Sequence, residues 1–276
     1  MTALKELLKN KLTKKQLALL PSSFDVVGDI LIFADLPSEL SKKEKLIGET
    51  LLQLFKNINV ICKKTKKYSG RYRTPTLKII AGEKRKTTDH RESGCMFRLD
   101  AEKCYFSPRL SNERLRIAKQ IKENEIILAM FSGVGPYPIV ISKNSKPKEI
   151  YSIEINPIAC EYQQENILLN KVKNIKLFKG DAKKIVPNLN KKFDRILMPL
   201  PKGAENFLEL ALSAAKKGTI IHFYDFLNEN EFEKGIEKLD NVCKKLKRSC
   251  KIINIVKCGQ YKPREFRVCV DFEILK

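Results

Sequence analysis

Histidine is scarce in this sequence, and closely paired cysteines are missing. The 276 residues include two histidines, His90 and His222, and eight cysteines, none in a Cys-x-x-Cys pair. Zinc sites need such clustered ligands, so no metal is expected. Cys258 and Cys269 lie inside apolar runs, where a cysteine serves as a small hydrophobe. The N-terminus carries no secretory leader pattern, which argues against a disulfide framework. No apolar run is long enough to span a bilayer, so no membrane partner is expected. These absences predict a soluble, cytoplasmic protein, and a monomer is expected. Negative charge is also short: 54 basic residues face 32 acidic ones, a net charge of +22.

That surplus points to a polyanionic partner, and its clustering favours nucleic acid. Lys63, Lys64, Lys66 and Lys67 run into Tyr68, Arg71, Tyr72 and Arg73. Lys84, Arg85 and Lys86 form a second cluster, and Lys244, Lys245, Lys247 and Arg248 a third. Aromatics among the basic residues of the first cluster suit base stacking.

The chain divides by rhythm. Leucines in residues 1–20 predict one amphipathic helix. Residues 21–108 predict a small α+β domain, with strands at 24–36, 77–81, 95–99 and 103–106 and helical spacing from Leu40 to Phe55. From Arg109 to Lys276 strands and helices alternate, which predicts a parallel sheet covered on both faces. The last two strands have no helix between them and imply an antiparallel edge. The fold class expected is α/β: the Rossmann-like, seven-stranded sheet of class I S-adenosylmethionine-dependent methyltransferases, plus the small N-terminal domain.

Residues 125–138 read Glu-Ile-Ile-Leu-Ala-Met-Phe-Ser-Gly-Val-Gly-Pro-Tyr-Pro. An apolar strand running into Gly133 and Gly135 makes a nucleotide half-site, because glycine lets backbone approach a ligand. Glu154 lies 19 residues past Gly135, where a carboxylate can accept hydrogen bonds from ribose hydroxyls. The third glycine of a dinucleotide fingerprint is missing, and Pro136 and Pro138 remove amides that a pyrophosphate would need. S-adenosyl-L-methionine, which has no phosphate, loses nothing there. Asp181, after Gly180, can hydrogen-bond an adenine amino group; alone it also reads as an ordinary loop residue. Pro199 and Pro201 close the fourth strand with a rigid turn.

Several strings then resemble one family, the archaeal and eukaryotic tRNA (guanine-37-N1)-methyltransferases and the related wyosine-pathway enzymes. They are Ser23 to Ile30, Gly70-Arg71-Tyr72-Arg73, Tyr105-Phe106-Ser107-Pro108-Arg109, Glu113-Arg114-Leu115-Arg116, Phe131 to Pro136, Asn156-Pro157, Asp194-Arg195-Ile196 and Tyr261 to Glu265. The resemblance covers roughly residues 21–276. It implies S-adenosylmethionine as methyl donor and the anticodon stem-loop of tRNA, tRNA-Phe in the first instance, as partner. By resemblance Glu113 is the base on guanine N1–H and Arg73 sits near O6. It also implies cofactor contacts from Phe131, Gly133, Gly135, Glu154, Asp181 and Pro201. RNA contacts are implied for Arg73, Tyr105, Phe106, Arg109 and Arg114. The chemistry agrees: N1 is a poor nucleophile until its proton leaves, and a guanidinium offsets the charge that builds on O6. From the residues alone, Glu113 reads rather as a salt bridge to Arg109 or Arg116, and Arg73 as a phosphate contact.

Two departures stand out. Ala129 replaces an aspartate that many members carry before the glycine loop. Pro199 stands where plain N1-methylating members usually have asparagine, and members with proline there are linked to C7-methylation of 4-demethylwyosine, giving isowyosine. Residues 1–20 are too short for the extra N-terminal domain many members use on tRNA, which leaves shape recognition to the basic small domain. The expectation is a methyltransferase of dual specificity. Aminocarboxypropyl transfer to the same base, and an RNA-binding protein on a degenerate fold, stay open as alternatives.

Overall fold

The protein, seen in a computed structural model, is described over residues 2–200 and 202–276. It forms two compact units: residues 1–92 with 96–108, and residues 93–95 with 109–276.

In the first unit, α1 (Thr2–Leu8) and α2 (Lys14–Ala18) precede β1 (Asp25–Val27) and β2 (Ile30–Phe33). A 3-10 turn (Ser38–Lys43) and α3 (Glu44–Leu54) lead to β3 (Val60–Ser69) and β4 (Thr74–Gly82). These strands make a four-stranded sheet in chain order, with β2 and β3 parallel and the outer pairs antiparallel. β5 (Thr87–Glu92) and β6 (Cys95–Asp100) form a separate two-stranded sheet.

Four expectations change here. Residues 1–20 are two helices, not one, because Thr13 opens a new helix with a capping box. The Gln16 amide donates to Thr13 Oγ1 (3.2 Å), and the Thr13 amide donates to Gln16 Oε1 (3.1 Å). Their leucines are not a separate segment either; Leu4, Leu8, Leu12 and Leu20 join Phe33, Ile47 and Leu51 in one core. The strand expected over 24–36 is a hairpin turning at Gly28 (φ 57°), where a Cβ would lie 2.0 Å from Thr88 Oγ1. Finally, residues 103–106 are not a strand. Asp100 Oδ1 accepts from the amides of Glu102 (2.8 Å) and Lys103 (3.0 Å), which turns the chain instead.

The second unit opens, after a 3-10 turn (Pro108–Leu110), with α4 (Ser111–Ala118). There follow β7 (Ile126–Met130), α5 (Pro136–Asn144), β8 (Glu149–Glu154), α6 (Pro157–Leu169), β9 (Ile175–Lys179), α7 (Ala182–Asn188) and β10 (Phe193–Met198). A 3-10 turn (Ala204–Phe207), α8 (Leu208–Ser213), β11 (Ala215–Asn228), α9 (Glu233–Lys245), β12 (Cys250–Lys262) and β13 (Glu265–Ile274) complete it.

Its sheet has the order β12-β13-β11-β10-β7-β8-β9. One strand of the seven is reversed, but it is not the edge. β13 is antiparallel to both β11 and β12, so the reversed strand stands one place in and β12 is the edge. A short hairpin lets β12 and β13 pair directly, while β13 also returns beside β11. The apolar runs of β7, β10 and β11 bury Leu128, Met130, Ile196, Met198 and Phe223 in the core. Strand order reverses between β7 and β10, and in such sheets ligands bind at the carboxyl ends around that switch point. Among the described residues no helix is long and apolar enough to cross a membrane.

Candidate active site

The switch point gathers most of the expected cofactor residues. Ala129 pairs with Leu197 across β7 and β10, so the glycine loop and Pro199 leave adjacent strands at neighbouring heights. Glu154 pairs with Lys179 across β8 and β9, which brings Gly180 and Asp181 to the same edge. The Gly180 amide donates to the Glu154 carbonyl at 2.7 Å. Ala129 itself is buried within β7.

The loop after β7 is built on left-handed backbone. Phe131 (φ 58°), Gly133 (φ 57°) and Gly135 (φ 88°) all have positive φ. Phe131 adopts this strained conformation although it is not glycine. Its ring meets Phe207 edge-on at 4.8 Å. Gly135 is needed for more than backbone freedom. A Cβ there would lie 2.9 Å from Gln163 Cγ, so glycine lets α5 pack against α6.

Glu154 closes this loop. It is 9% exposed. Its Oε2 accepts from the Gly133 amide at 2.6 Å, and its Oε1 accepts from the amides of Ile155 (2.8 Å) and Asn156 (2.7 Å). Burial raises its pKa, and the three amides partly offset that. The carboxylate thus latches the glycine loop to the end of β8. A carboxylate has about four acceptor positions, so among the described residues one stays open.

The start of α5 tests the choice of cofactor. Pro136 and Pro138 offer no N–H, and the Ile139 amide already donates to the Gly135 carbonyl at 3.0 Å. A helix start so poor in donors does not suit a phosphate. A phosphate-free adenosine cofactor such as S-adenosylmethionine fits the residues present. Asp181 caps α7, accepting from the Lys183 amide at 3.0 Å. Pro199 centres a three-residue turn in which the Leu200 amide donates to the Met198 carbonyl at 2.7 Å. Pro201 lies outside the described residues.

Glu113 stands in a different setting. It is 5% exposed on α4. Arg116 grips it through Nε to Oε2 (2.7 Å) and Nη2 to Oε1 (2.8 Å), and the Tyr224 hydroxyl donates to Oε1 at 2.6 Å. The salt bridge that helical spacing allows is therefore present. Arg116 also reaches Asp271 Oδ2 at 2.6 Å. His222 and Asp271 are cross-strand partners on β11 and β13, as are Tyr224 and Cys269. His222 Nδ1 lies 2.6 Å from Asp271 Oδ1, and its Nε2 lies 2.8 Å from Arg195 Nη1. A guanidinium only donates, so Nε2 is an acceptor and Nδ1 carries the proton given to Asp271. Arg195 continues the chain to Glu125 through two bonds of 2.8 Å and 3.0 Å.

Burial lowers the His222 pKa from 6.5, outweighing the pull of Asp271. Burial alone would raise the Asp271 carboxyl, but His222 and Arg116 hold it below the usual carboxylate range. His222, Cys269 and Asp271 place donor atoms within 4.8 Å of one another. A metal ion there would face the Arg116 and Arg195 guanidiniums, and the group is already satisfied by its own hydrogen bonds.

Two expected RNA contacts are corrected. Arg114 is 1% exposed, with its guanidinium 5.9 Å from the Tyr137 ring, so it is a buried residue and not the surface RNA contact expected. Phe106, in the first unit, is buried among His90 and Phe97 and serves that unit's core. Arg109 is exposed and Tyr105 half-buried. Arg73 lies in the β3–β4 turn with φ 51°, its amide donating to the Gly70 carbonyl at 3.3 Å. The basic clusters are also partly committed to structure. Lys63 pairs with Glu44 at 2.6 Å, Lys86 with Glu102 at 2.6 Å, and Arg85 with Asp29.

Sequence reasoning missed Tyr137, Tyr224, His222 and Asp271. The signal was polar residues two apart in apolar strands: His222 and Tyr224 in β11, Cys269 and Asp271 in β13. Such pairs share one face.

Comparison with known proteins identifies the family. The family profile described as TRM5/TYW2 methyltransferase domain matches residues 88–253, and that described as TYW2 N-terminal domain matches residues 4–86. The tRNA (guanine(37)-N(1))-methyltransferase Trm5b of Pyrococcus abyssi is 39% identical over 92% of this chain and 76% of its own length. The tRNA (guanine(37)-N(1))/4-demethylwyosine(37)-methyltransferase Taw22 of Nanoarchaeum equitans is 33% identical, over 92% of this chain and 100% of its own length. A tRNA(Phe) (4-demethylwyosine(37)-C(7)) aminocarboxypropyltransferase of Methanocaldococcus jannaschii is 33% identical over 90% of this chain and 96% of its own. Among solved structures, wild-type Trm5b from Pyrococcus abyssi superposes with a TM-score of 0.88 at 37% identity, covering 96% of this chain and 79% of that one. A complex of aTrm5 with tRNALeu gives 0.85 at 34% identity, over 99% and 78% of the two chains. M. jannaschii TYW2 in complex with AdoMet gives 0.68 at 28%, over 92% and 100%.

Proposed function

The chain belongs to the TRM5/TYW2 methyltransferase family, and from that premise we propose that it methylates N1 of guanosine 37 in tRNA and C7 of 4-demethylwyosine at the same position. The observation that carries this reading is the latch of Glu154 on the glycine loop, beside a helix start that suits no phosphate. S-adenosylmethionine, when bound, supplies a methyl carbon on a sulfonium whose bond to sulfur breaks with both electrons staying on sulfur. Glu154 holds the glycine loop and keeps an acceptor position for the ribose. Asp181 is assigned to the adenine edge, and Phe131 and Pro201 to further contacts with the cofactor.

On the base, Glu113 takes the proton that leaves N1, so that the N1 electron pair becomes available. In the tricyclic base the proton leaves carbon instead, and the same carboxylate accepts it. Arg73 is assigned, by resemblance, to the charge that builds on O6. Pro199 offers no side-chain amide to read the base edge, which supports a pocket that accepts both purines. Residues 21–108, with Arg73, Tyr105 and the exposed lysines, are assigned to RNA, and residues 109–276 to the chemistry. Arg109 on the second unit is assigned to the same RNA. The anticodon stem-loop of tRNA-Phe is the proposed substrate, met in the cytoplasm by a monomer.

The experiment supplies labelled cofactor with tRNA bearing guanosine 37 and, separately, 4-demethylwyosine 37, and maps the methylated atom by mass spectrometry of digests. Methyl on both bases is expected; methyl on guanosine alone refutes the dual reading. The match to the TYW2 N-terminal domain over residues 4–86 favours a second reading, aminocarboxypropyl transfer. Product mass separates the two.

A further inference from the structure

The buried chain behind Glu113 does more than fill the core. Its members converge on one atom. Among the described residues, Glu113 Oε1 already accepts two donors, Tyr224 and Arg116, whereas Oε2 accepts only Arg116 Nε. With about two acceptor positions per carboxylate oxygen, Oε2 alone keeps one open. Arg116 is in turn shared. Its Nη1 and Nη2 reach Asp271 Oδ2 and Oδ1 at 2.6 and 3.3 Å, and Asp271 is itself held by His222 and by the Cys269 thiol at 3.1 Å. Two carboxylates on one guanidinium leave one net negative charge, which a proton on Glu113 cancels. A lone Arg116–Glu113 pair would be neutral before the reaction and positive after it.

We propose that Asp271 is a positioning residue for the transfer: through Arg116 it aims Glu113 Oε2 at the base and keeps that carboxylate able to take a proton. This rests on the reading of Glu113 as the base. The step balances, since the proton leaving the purine ends on Oε2 and no other group changes charge. The groups around Glu113 are Arg116 on its own helix, Tyr224 on β11, Tyr137 behind it on α5, and Asp271 on β13 with His222 and Cys269 beyond. The Tyr137 hydroxyl donates to Tyr224 at 3.1 Å, so the helix that follows the glycine loop also helps to set the carboxylate.

The test is methyl transfer to guanosine-37 tRNA under saturating conditions across pH. Asp271→Asn is expected to lower kcat at least about tenfold, with the cofactor KM within about twofold. The acid limb of the kcat profile is expected to move to lower pH, because the full Arg116 charge then acts on Glu113 alone. Tyr224→Phe is expected to lower kcat by a smaller factor with KM kept. In a Glu113→Gln background, Asp271→Asn is expected to change nothing further. An unchanged kcat, an unmoved acid limb, or the same loss in that background overturns the proposal. If Asp271→Asn does not fold, Arg116→Lys takes its place: it keeps the charge but loses the two-pronged grip. It is expected to lower kcat with KM kept, and a wild-type kcat refutes the idea. Should Glu113→Gln itself keep full kcat, the base reading falls first, and that result is distinct from a failure of Asp271 alone.

Discussion

Two buried carboxylates in the second unit are held in opposite ways. At the crevice, Glu154 has no ion-pair partner among the described residues and is held by three backbone amides. On α4, Glu113 is held by side chains, one guanidinium and one phenol. Amides satisfy a carboxylate without cancelling its charge, so Glu154 stays a strong acceptor for ligand hydroxyls and fixes a loop besides. An arginine shared between two acids instead sets direction and poise. The lesson is that burial alone does not define a carboxylate's work; the identity of its donors does.

The largest expected effect tests the side-chain network. Arg195→Met leaves Glu125 buried without its partner and His222 without its donor. A loss of about 3–5 kcal/mol in unfolding free energy is expected, as when a buried pair is broken by removing one member. Urea denaturation measures it, and a loss below about 1 kcal/mol would mean that the chain is not structurally coupled.

Next comes the crevice. Glu154→Ala removes the latch and the proposed ribose acceptor together. Affinity for S-adenosylmethionine by calorimetry is expected to fall about thirtyfold or more, roughly 2 kcal/mol, the size of a charge-assisted hydrogen bond. Glu113→Ala in the same assay is expected to keep that affinity. Equal losses in both variants would erase the contrast between the two acids.

A smaller effect is expected from Gly135→Ala. Positive φ at this position and a Cβ 2.9 Å from Gln163 Cγ both oppose it. About 1–3 kcal/mol of stability is expected to be lost. Ser142→Ala, on the same helix, serves as a control for general loosening of α5.

The smallest effect is a dependence on acid. His222 has a folded pKa below its unfolded value of 6.5. Below that pH the unfolded chain binds the extra proton, so stability falls as pH drops through 6.5. Asp271 acts in the same direction at lower pH: its folded carboxyl titrates below 3.8, and its contribution is lost as pH falls past that value. Thermal melts are expected to decline from pH 7 towards pH 4, and His222→Gln is expected to flatten the upper part of that decline.

Much of the crevice was legible because its causes are local. Gly133, Gly135, Pro136 and Pro138 act through their own backbone, and Glu154 is found by counting along one strand–helix–strand unit. The network was hidden because its contacts are not local. Tyr224 and Glu113 are 111 residues apart, and Arg116 and Asp271 are 155 apart. Arg114 and Phe106 were misread for a related reason: residue type does not report burial, and the same guanidinium can face RNA or cover a tyrosine. Lys63 and Arg85 belong to clusters that point to nucleic acid, yet each is paired with an acid of its own unit, Glu44 and Asp29.

Periodicity, glycine and proline determined by themselves the alternating sheet, the sharp loop after β7 and the refusal of a phosphate, since these depend on torsions and spacing within a few residues. Tertiary structure alone decided which strand is reversed, which basic residues are committed to core acids, and how Asp271 comes to stand behind Glu113. Those outcomes depend on pairing distant strands, and pairing energy is set by the whole sheet rather than by any one segment.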